Sequence, residues 1–198
     1  MMKRWIFWPL LMMVYAISSS PAFSAGADIW PALKQGGYVI LMRHGAVDNL
    51  SRSTSPDADF EGCEGQYNLT DEGRDQVKLL GNALRKRKIP IGEVRASPLC
   101  RTRDTARIAF GAFQVWPMLE PLPESDLADR QQRIETISRV IADHKGRKNL
   151  VLITHQPNID ALTLEVVDPA TIVVVKPDGK GGFNVIRKLP PNEWRMDR

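Results

Sequence analysis

Tyr38-Val39-Ile40-Leu41-Met42-Arg43-His44-Gly45 is the stretch on which the fold turns. Its first five residues are aliphatic or aromatic with no polar alternation, the pattern of a strand buried on both faces and so of a parallel sheet covered by helices. The run then breaks into a cation, an imidazole and a glycine. In open α/β sheets the carboxyl ends of the strands border the crevice where ligands bind, which puts Arg43 and His44 where chemistry is expected. Gly45 can turn sharply without a Cβ clash and bring a main-chain carbonyl close enough to fix the tautomer of His44. Alone, an Arg-His-Gly tripeptide is equally compatible with an ordinary loop, and the rest of the chain must discriminate.

The pattern occurs a second time. Residues 150–154 form another apolar strand that ends at His155, and Pro157 opens a helix just beyond it, as proline in a first turn can. Ahead of the first, a short helix over 28–34 stops at Gly36-Gly37. Thr70 caps a helix that carries Asp71 and Glu72 in its first turn and Val77, Leu80, Ala83 and Leu84 on one face. A strand over 89–96 leads through Ser97-Pro98-Leu99-Cys100-Arg101 into a helix that ends near Phe110. Residues 114–116 suit a sheet edge, 117–126 a proline-broken loop with Glu120, Glu124 and Asp126, and 130–144 an amphipathic helix with Ile134, Ile137, Val140 and Ile141 inside. Val173 to Val175 and Asn184 to Ile186 suit a terminal hairpin with a long turn, joined through Pro177-Asp178-Gly179 to Gly182. Strands alternating with helices predict an α/β domain: a mainly parallel central sheet with helices on both faces.

The chain has 198 residues and 43% hydrophobic content, enough for one domain with a sizeable core. Residues 1–24 differ from the remainder. Lys3 and Arg4 precede an apolar run from Trp5 to Ile17, and Ala22-Phe23-Ser24 offers small residues at cleavage spacing. The run is shorter than the roughly 20 residues a membrane span needs, so a secretory signal peptide is expected rather than an anchor. The domain then covers 25–198, in the periplasm or secreted, with no stable membrane insertion. Loss of Lys3 and Arg4 lowers the formal charge from +4 to +2, which gives no electrostatic case for nucleic acid. The run Arg85-Lys86-Arg87-Lys88 sits where a helix ends and reads as cations solvated against its dipole. Asn68-Leu69-Thr70 matches a glycosylation acceptor, read as a coincidence of the helix cap.

Two strands ending in histidine, with Arg101 at the mouth of a helix between them, would bring Arg43, His44, Arg101 and His155 to one edge of the sheet. Such a pocket suits a phosphate dianion, because the guanidinium fork gives bidentate hydrogen bonds. The third and last histidine, His144, lies at a charged helix end and reads as solvated. Two arginines beside two histidines would repel a divalent cation, and no closely spaced His, Asp and Glu cluster is present, so no metal is expected. The long polar stretch from Ala46 to Asn68, with Asp57, Asp59, Glu61 and Glu64, adjoins the site and has no periodicity.

These residues resemble the histidine phosphatase superfamily, the group that includes phosphoglycerate mutases and acid phosphatases. Arg43-His44-Gly45 is similar to its signature, Ser97 to Arg101 followed by Thr105-Ala106 to its second arginine motif, and Thr154-His155 to its second histidine, all in the family's order. The resemblance implies that His44 is the nucleophile and that Arg43, Arg101 and His155 hold the phosphoryl oxygens. An acid on a loop would protonate the leaving group. Leu122-Pro123-Glu124 resembles the family's Leu-x-Glu segment and makes Glu124 that donor. Two departures stand out: Ala46 follows the Arg-His-Gly where many members carry an acid, and the acid loop lacks the usual glycine pattern, which leaves Asp126 or Glu120 as substitutes. A neutral imidazole is a competent nucleophile near pH 7, and fixed cations stabilise the transferring group without a cofactor. Mutase activity would need a lid that the short chain does not show. A non-catalytic envelope protein binding phosphate groups is the rival from another class.

Cys63 and Cys100 are the only cysteines. In an exported protein an even count predicts a disulfide, here pinning the polar loop beside Arg101, against the alternative of two free thiols. The size, leader and paired cysteines resemble small exported members of the family, among them a phosphatase of a lipopolysaccharide core heptose phosphate, and this resemblance implies a sugar phosphate substrate. A broad scavenging acid phosphatase is the alternative.

Overall fold

The computed structural model of the protein describes residues 28–48 and 62–194. The elements in chain order are α1 (Trp30–Gln35), β1 (Val39–Arg43), α2 (Asp71–Lys86), β2 (Ile91–Ala96), α3 (Cys100–Phe110), β3 (Gln114–Val115), α4 (Leu127–Ala142), β4 (Asn149–Thr154), α5 (Gln156–Thr163), β5 (Ile172–Pro177) and β6 (Phe183–Leu189). Short 3-10 turns occupy Pro117–Leu119 and Pro191–Glu193. One sheet takes all six strands, in the order β3-β2-β4-β1-β5-β6. Pairing is parallel from β3 through β2 and β4 to β1, and antiparallel from β1 to β5 and β6. The α/β reading of the sequence therefore holds, with the terminal hairpin supplying the antiparallel edge.

Burial explains why β1 and β4 stand at the centre. Every residue of β4 is buried, as are Val39 to Met42 of β1. Side chains alternate across the sheet. Ile40 and Met42 join Leu33, Val77, Leu80 and Ala106 in a core beneath α1, α2 and α3. Val39 and Leu41 join Ile137, Ile141 and Ile159 in a second core beneath α4 and α5. Asn149 opens β4 inside this apolar frame with its amide fully used: Oδ1 accepts the Tyr38 amide at 3.1 Å, and Nδ2 donates to the carbonyls of Leu33 (2.8 Å) and Pro90 (3.0 Å).

The connections leave the central pair in opposite directions. After β1 the chain crosses by α2 to β2 on one side, and after β4 it crosses by α5 to β5 on the other. Because α2 and α5 pack on opposite faces of the sheet, a crevice opens at the carboxyl ends of β1 and β4. The polar loop that follows β1 returns alongside itself there: Asp48 N donates to Asn68 O at 3.1 Å, Thr70 N to Ala46 O at 3.0 Å, and Val47 bridges Leu69. Thr70 then caps α2, its Oγ1 accepting the Gly73 amide at 3.0 Å.

Element ends differ modestly from the sequence reading. α4 begins at Leu127 rather than 130, because Asp126 accepts the Asp129 amide at 2.9 Å and caps the helix there. A 3-10 turn interrupts the loop expected over 117–126. The basic run at the end of α2 is less solvated than its composition suggested: Arg85 donates to Ala109 O at 2.8 Å, and Arg87 stacks on Trp30 at 4.3 Å. Residues 1–24, together with Asp57, Asp59 and Glu61, lie outside the described residues. Among those described, no helix is long and apolar enough to cross a membrane.

Candidate active site

Three parallel strands end at one level. β1 and β4 are in register as far as Arg43 opposite Thr154, and β4 and β2 as far as Ile153 opposite Ala96. The ladder continues one step further, with His44 N donating to Thr154 O at 3.2 Å and Ser97 N to Ile153 O at 3.1 Å. His44 and His155 consequently emerge side by side, ring centroids 5.3 Å apart and planes inclined by 57°. Ser97 emerges beside them, and α3 starts three residues later with Arg101 in its first turn.

His44 is 5% exposed and its Nδ1 lies 2.8 Å from Gly45 O. A carbonyl can only accept, so Nδ1 carries the ring hydrogen and Nε2 keeps the lone pair. Burial, reinforced by the charges of Arg101 and Arg43, outweighs the Gly45 hydrogen bond and pushes the imidazole pKa down to about 3. The ring is thus neutral across the physiological range, with one nitrogen carrying a free lone pair.

His155, 3% exposed, places Nε2 3.0 Å from Ser97 Oγ. With the Ser97 hydroxyl hydrogen assigned to Nε2, the ring hydrogen of His155 lies on Nδ1, and Ser97 Oγ also accepts the Leu99 amide at 3.4 Å. Nδ1 is buried without a partner among the described residues, a donor left for a ligand. Burial, then the charges of Arg101, His44 and Arg43, holds this imidazole well below its ordinary pKa.

Arg43 donates from Nη1 to Val167 O at 2.6 Å, while its Nε is buried and unpartnered among the described residues. Burial lowers its pKa against the pull of Asp168. Arg101 is pushed down to about 10 by burial, opposed by Tyr67 and assisted by Arg43. Two guanidinium groups and an imidazole N–H, desolvated and close together, make a pocket that gains most from a dianion.

The backbone around His44 leaves no spare room. A Cβ on Gly73 would lie 2.2 Å from Ala46 O, and one on Gly45 would lie 2.7 Å from Gly73 O, so the turn after His44 rests directly on the first turn of α2. Thr105 ties the same turn to α3 by accepting the Gly45 amide at 3.1 Å and donating to Arg101 O at 2.7 Å. Thr102 holds the mouth of α3, donating to Ser97 O (2.8 Å) and Leu99 O (2.6 Å). A disulfide joins Cys63 to Cys100, and Gln66 Oε1 accepts the Cys100 amide at 2.9 Å. The end of the polar loop is therefore fastened to the residue before Arg101.

The three candidate acids part company. Asp126 caps α4, and Glu120 pairs with Arg133 at 3.6 Å. Glu124 is exposed and makes no hydrogen bond or ion pair among the described residues. Its loop is anchored close by. Asn158 Oδ1 accepts the Leu122 amide at 3.1 Å and its Nδ2 donates to Glu120 O at 2.9 Å, while Thr154 Oγ1 donates to Leu119 O at 2.8 Å. His144 lies far along the chain at the end of α4, its Nε2 3.0 Å from Lys148 O. The parts played by Ser97, Thr105, Gln66 and Asn158 were not read from sequence. The first two stand in the second arginine motif, but a lone Gln or Asn carries no periodic signal.

A strand-end pair of neutral histidines flanked by two arginines, on a mostly parallel sheet, defines a phosphoryl-binding α/β enzyme. A model of the histidine phosphatase superfamily (branch 1) matches residues 39–129. Phosphohistidine phosphatase SixA of Escherichia coli (strain K12) is 25% identical over 158 residues, which span 74% of this chain and 90% of that protein. Agropine synthesis reductase of Rhizobium rhizogenes is 34% identical over 95 residues, covering 46% of this chain and only 22% of that protein's length. Among solved structures, SixA complexed with tungstate covers 80% of this chain and 99% of its own (TM-score 0.55, 20% identity). A phosphoserine phosphatase variant from Entamoeba histolytica with phosphoserine covers 79% and 98% (TM-score 0.60, 13% identity). Over residues 39–129 this chain is similar to the histidine phosphatase superfamily, and its likeness to SixA along most of its length supports a histidine-dependent phosphatase.

Proposed function

We propose that the protein is an exported phosphomonoesterase that works through a phosphohistidine at His44, on a sugar phosphate such as a heptose phosphate of the lipopolysaccharide core. The observation that carries the catalytic part is the Nδ1 hydrogen bond of His44 to Gly45 O, which leaves Nε2 unprotonated inside the cationic pocket. In the first step Nε2 attacks phosphorus, the bond from phosphorus to the ester oxygen breaks, and Glu124 gives its proton to that oxygen. In the second, water attacks the phosphohistidine, the P–N bond breaks, and the Glu124 carboxylate takes the water's proton. Arg43, Arg101 and the Nδ1 hydrogen of His155 hold the equatorial oxygens throughout, supplying fixed positive charge where the transition state develops negative charge.

Export rests on the leader over 1–24 and agrees with the disulfide between Cys63 and Cys100. The sugar rests on composition: the loop from Ala46 to Asn68 is rich in hydroxyl, amide and carboxylate side chains suited to sugar hydroxyls. Its acids would penalise substrates carrying several further negative charges. One observation favours a second substrate, protein phosphohistidine, on which the relative SixA acts by its name. Glu124 is exposed and has no hydrogen bond or ion pair among the described residues to hold its carboxylate in place, and a protonated phosphohistidine departs as a neutral imidazole that needs no internal acid.

Comparison of kcat/KM on sugar monophosphates, nucleotides, inositol polyphosphates and a phosphohistidine peptide tests the substrate. A tenfold advantage, about 1.4 kcal/mol of transition-state preference, for sugar monophosphates supports the proposal. The same advantage for the peptide selects the second reading, and one for nucleotides or polyphosphates rejects both.

A further inference from the structure

Gln156 follows His155 and occupies the first position of α5. Its side-chain amide fastens a loop that has little packing of its own. Oε1 accepts the Val167 amide at 2.9 Å, and Nε2 reaches Glu165 O at 3.4 Å. In that loop Leu164 is 88% exposed and Val166 76%, whereas the Val167 side chain is buried against Val39 and Leu41. Its other side-chain ties, apart from Arg43, are surface contacts of a kind worth little: Lys188 pairs with Glu165 at 2.8 Å and donates to Val166 O at 3.4 Å, and Thr163 Oγ1 accepts the Glu165 amide at 3.3 Å.

The carbonyl of the same Val167 receives Arg43 Nη1 at 2.6 Å. In a guanidinium the Nε hydrogen and one Nη2 hydrogen point the same way, and that edge grips two oxygens of a phosphoryl group side by side. Tying Nη1 elsewhere reserves the Nε and Nη2 edge, whose Nε is buried and unpartnered among the described residues. The Val167 carbonyl therefore sets the angle at which Arg43 meets its ligand, and Gln156 holds the amide on the other side of the same Cα, so the two are coupled through the backbone torsions of one residue.

We propose that Gln156 is a positioning residue for the phosphoryl-binding guanidinium of Arg43, acting through the backbone of Val167. The proposal rests on the reading of Arg43 as a phosphoryl ligand, and its test separates the two. Gln156→Met keeps the volume and removes both hydrogen bonds, with Gln156→Ala carried in parallel so that a fault peculiar to methionine is not taken for function. Each is made with Arg43 present and with Arg43→Lys, which keeps the charge and loses the fork. The readouts are KM and kcat for p-nitrophenyl phosphate and the inhibition constant of inorganic phosphate. Binding energy shared by ground and transition states shows in KM rather than kcat.

With Arg43 present, both Gln156 variants are expected to raise KM and the phosphate inhibition constant about fivefold, with kcat within about twofold. In the Arg43→Lys background they are expected to change neither, because there is no fork left to aim. Equal rises in both backgrounds would assign Gln156 a general structural role and overturn the proposal. No rise with Arg43 present, while Arg43→Lys alone weakens phosphate, would overturn it and leave the arginine reading standing. Unchanged phosphate binding in Arg43→Lys would remove that reading and the proposal with it.

Discussion

The Nδ1 of His44 lies 2.8 Å from the carbonyl oxygen of its own neighbour Gly45, and this contact decides which ring nitrogen can react. Phosphate trapped on the enzyme is therefore expected on Nε2, the isomer that phosphorus NMR of a base-quenched sample distinguishes from the Nδ1 adduct. His44→Ala should lower kcat by at least about a thousandfold while leaving the fold intact. An Nδ1 adduct, or substantial turnover by the alanine variant, would remove His44 from the mechanism as drawn.

Stability of the ligand-free protein should fall in acid. His44 and His155 both have folded pKa values below the unfolded value, His44 at about 3. Above pH 6.5 neither state is protonated and the pair contributes no slope. Below it the unfolded chain takes up protons that the folded pocket refuses, so stability declines as pH falls from about 6.5 toward 3, on the order of 1 kcal/mol or more per pH unit. Phosphate, as a counter-charge in the pocket, should flatten the decline. Urea unfolding at pH 7.5 and 5 checks this, and an identical slope in a His44→Asn, His155→Asn double variant would assign the loss to other groups.

Gly73→Ala should be far costlier than an alanine substitution in a helix usually is. Its Cβ would meet Ala46 O at 2.2 Å, backbone against backbone, so either α2 or the turn after His44 must move. A loss of about 2 kcal/mol or more is expected, along with a reduced kcat because the turn carries His44, the proposed nucleophile. A variant with native melting temperature and activity would show that this approach is easily relaxed.

Reduction should loosen the site as well as the fold. The bond between Cys63 and Cys100 closes a loop of sequence separation 37, a constraint worth about 3 to 4 kcal/mol in the chain-entropy model. It also holds Gln66 on the Cys100 amide beside Arg101. Cys63→Ser should lower the melting temperature and raise KM together. A non-reduced digest of protein made in an oxidising compartment should show the two peptides linked, and two freely alkylated thiols would refute the bond.

Glu124→Gln should slow alkyl phosphates at least about tenfold more than p-nitrophenyl phosphate, since only the alkoxide requires a proton on departure. Equal effects on both would end the donor assignment. With Asp126 engaged at the α4 cap and Glu120 on Arg133, that outcome would leave the proton to solvent and favour the phosphohistidine substrate.

What the sequence made legible follows from what is periodic or locally encoded. Val39 to Met42 and Leu150 to Thr154 announced buried parallel strands because two-sided burial demands unbroken apolar runs. The residues after them fell at the crevice for the same reason. Cys63 and Cys100 could be paired by elimination. The second tier was hidden: Ser97 on His155, Thr105 on Gly45 and Asn158 on Leu122 are single polar residues whose partners lie 36 to 60 positions away. The boundary of α4 slipped for a local reason, because Asp126 was read as a catalytic alternative when its carboxylate was already the cap.

The register of β1 against β4, Arg43 opposite Thr154, has a consequence for how this enzyme can vary. The separation of the two histidines is dictated by inter-strand spacing, a property of main-chain hydrogen bonds that no side-chain replacement in either strand alters. Substitutions of one aliphatic residue for another at Ile40, Leu41, Leu152 or Ile153 should therefore be absorbed without disturbing the histidine pair. A single-residue insertion or deletion in either strand would instead advance one ring by about 3.3 Å and turn it to the opposite face. Change in this lineage is thus steered toward the loops after the strands, where length can drift and substrate preference can follow it, while the count of residues within the two central strands stays fixed.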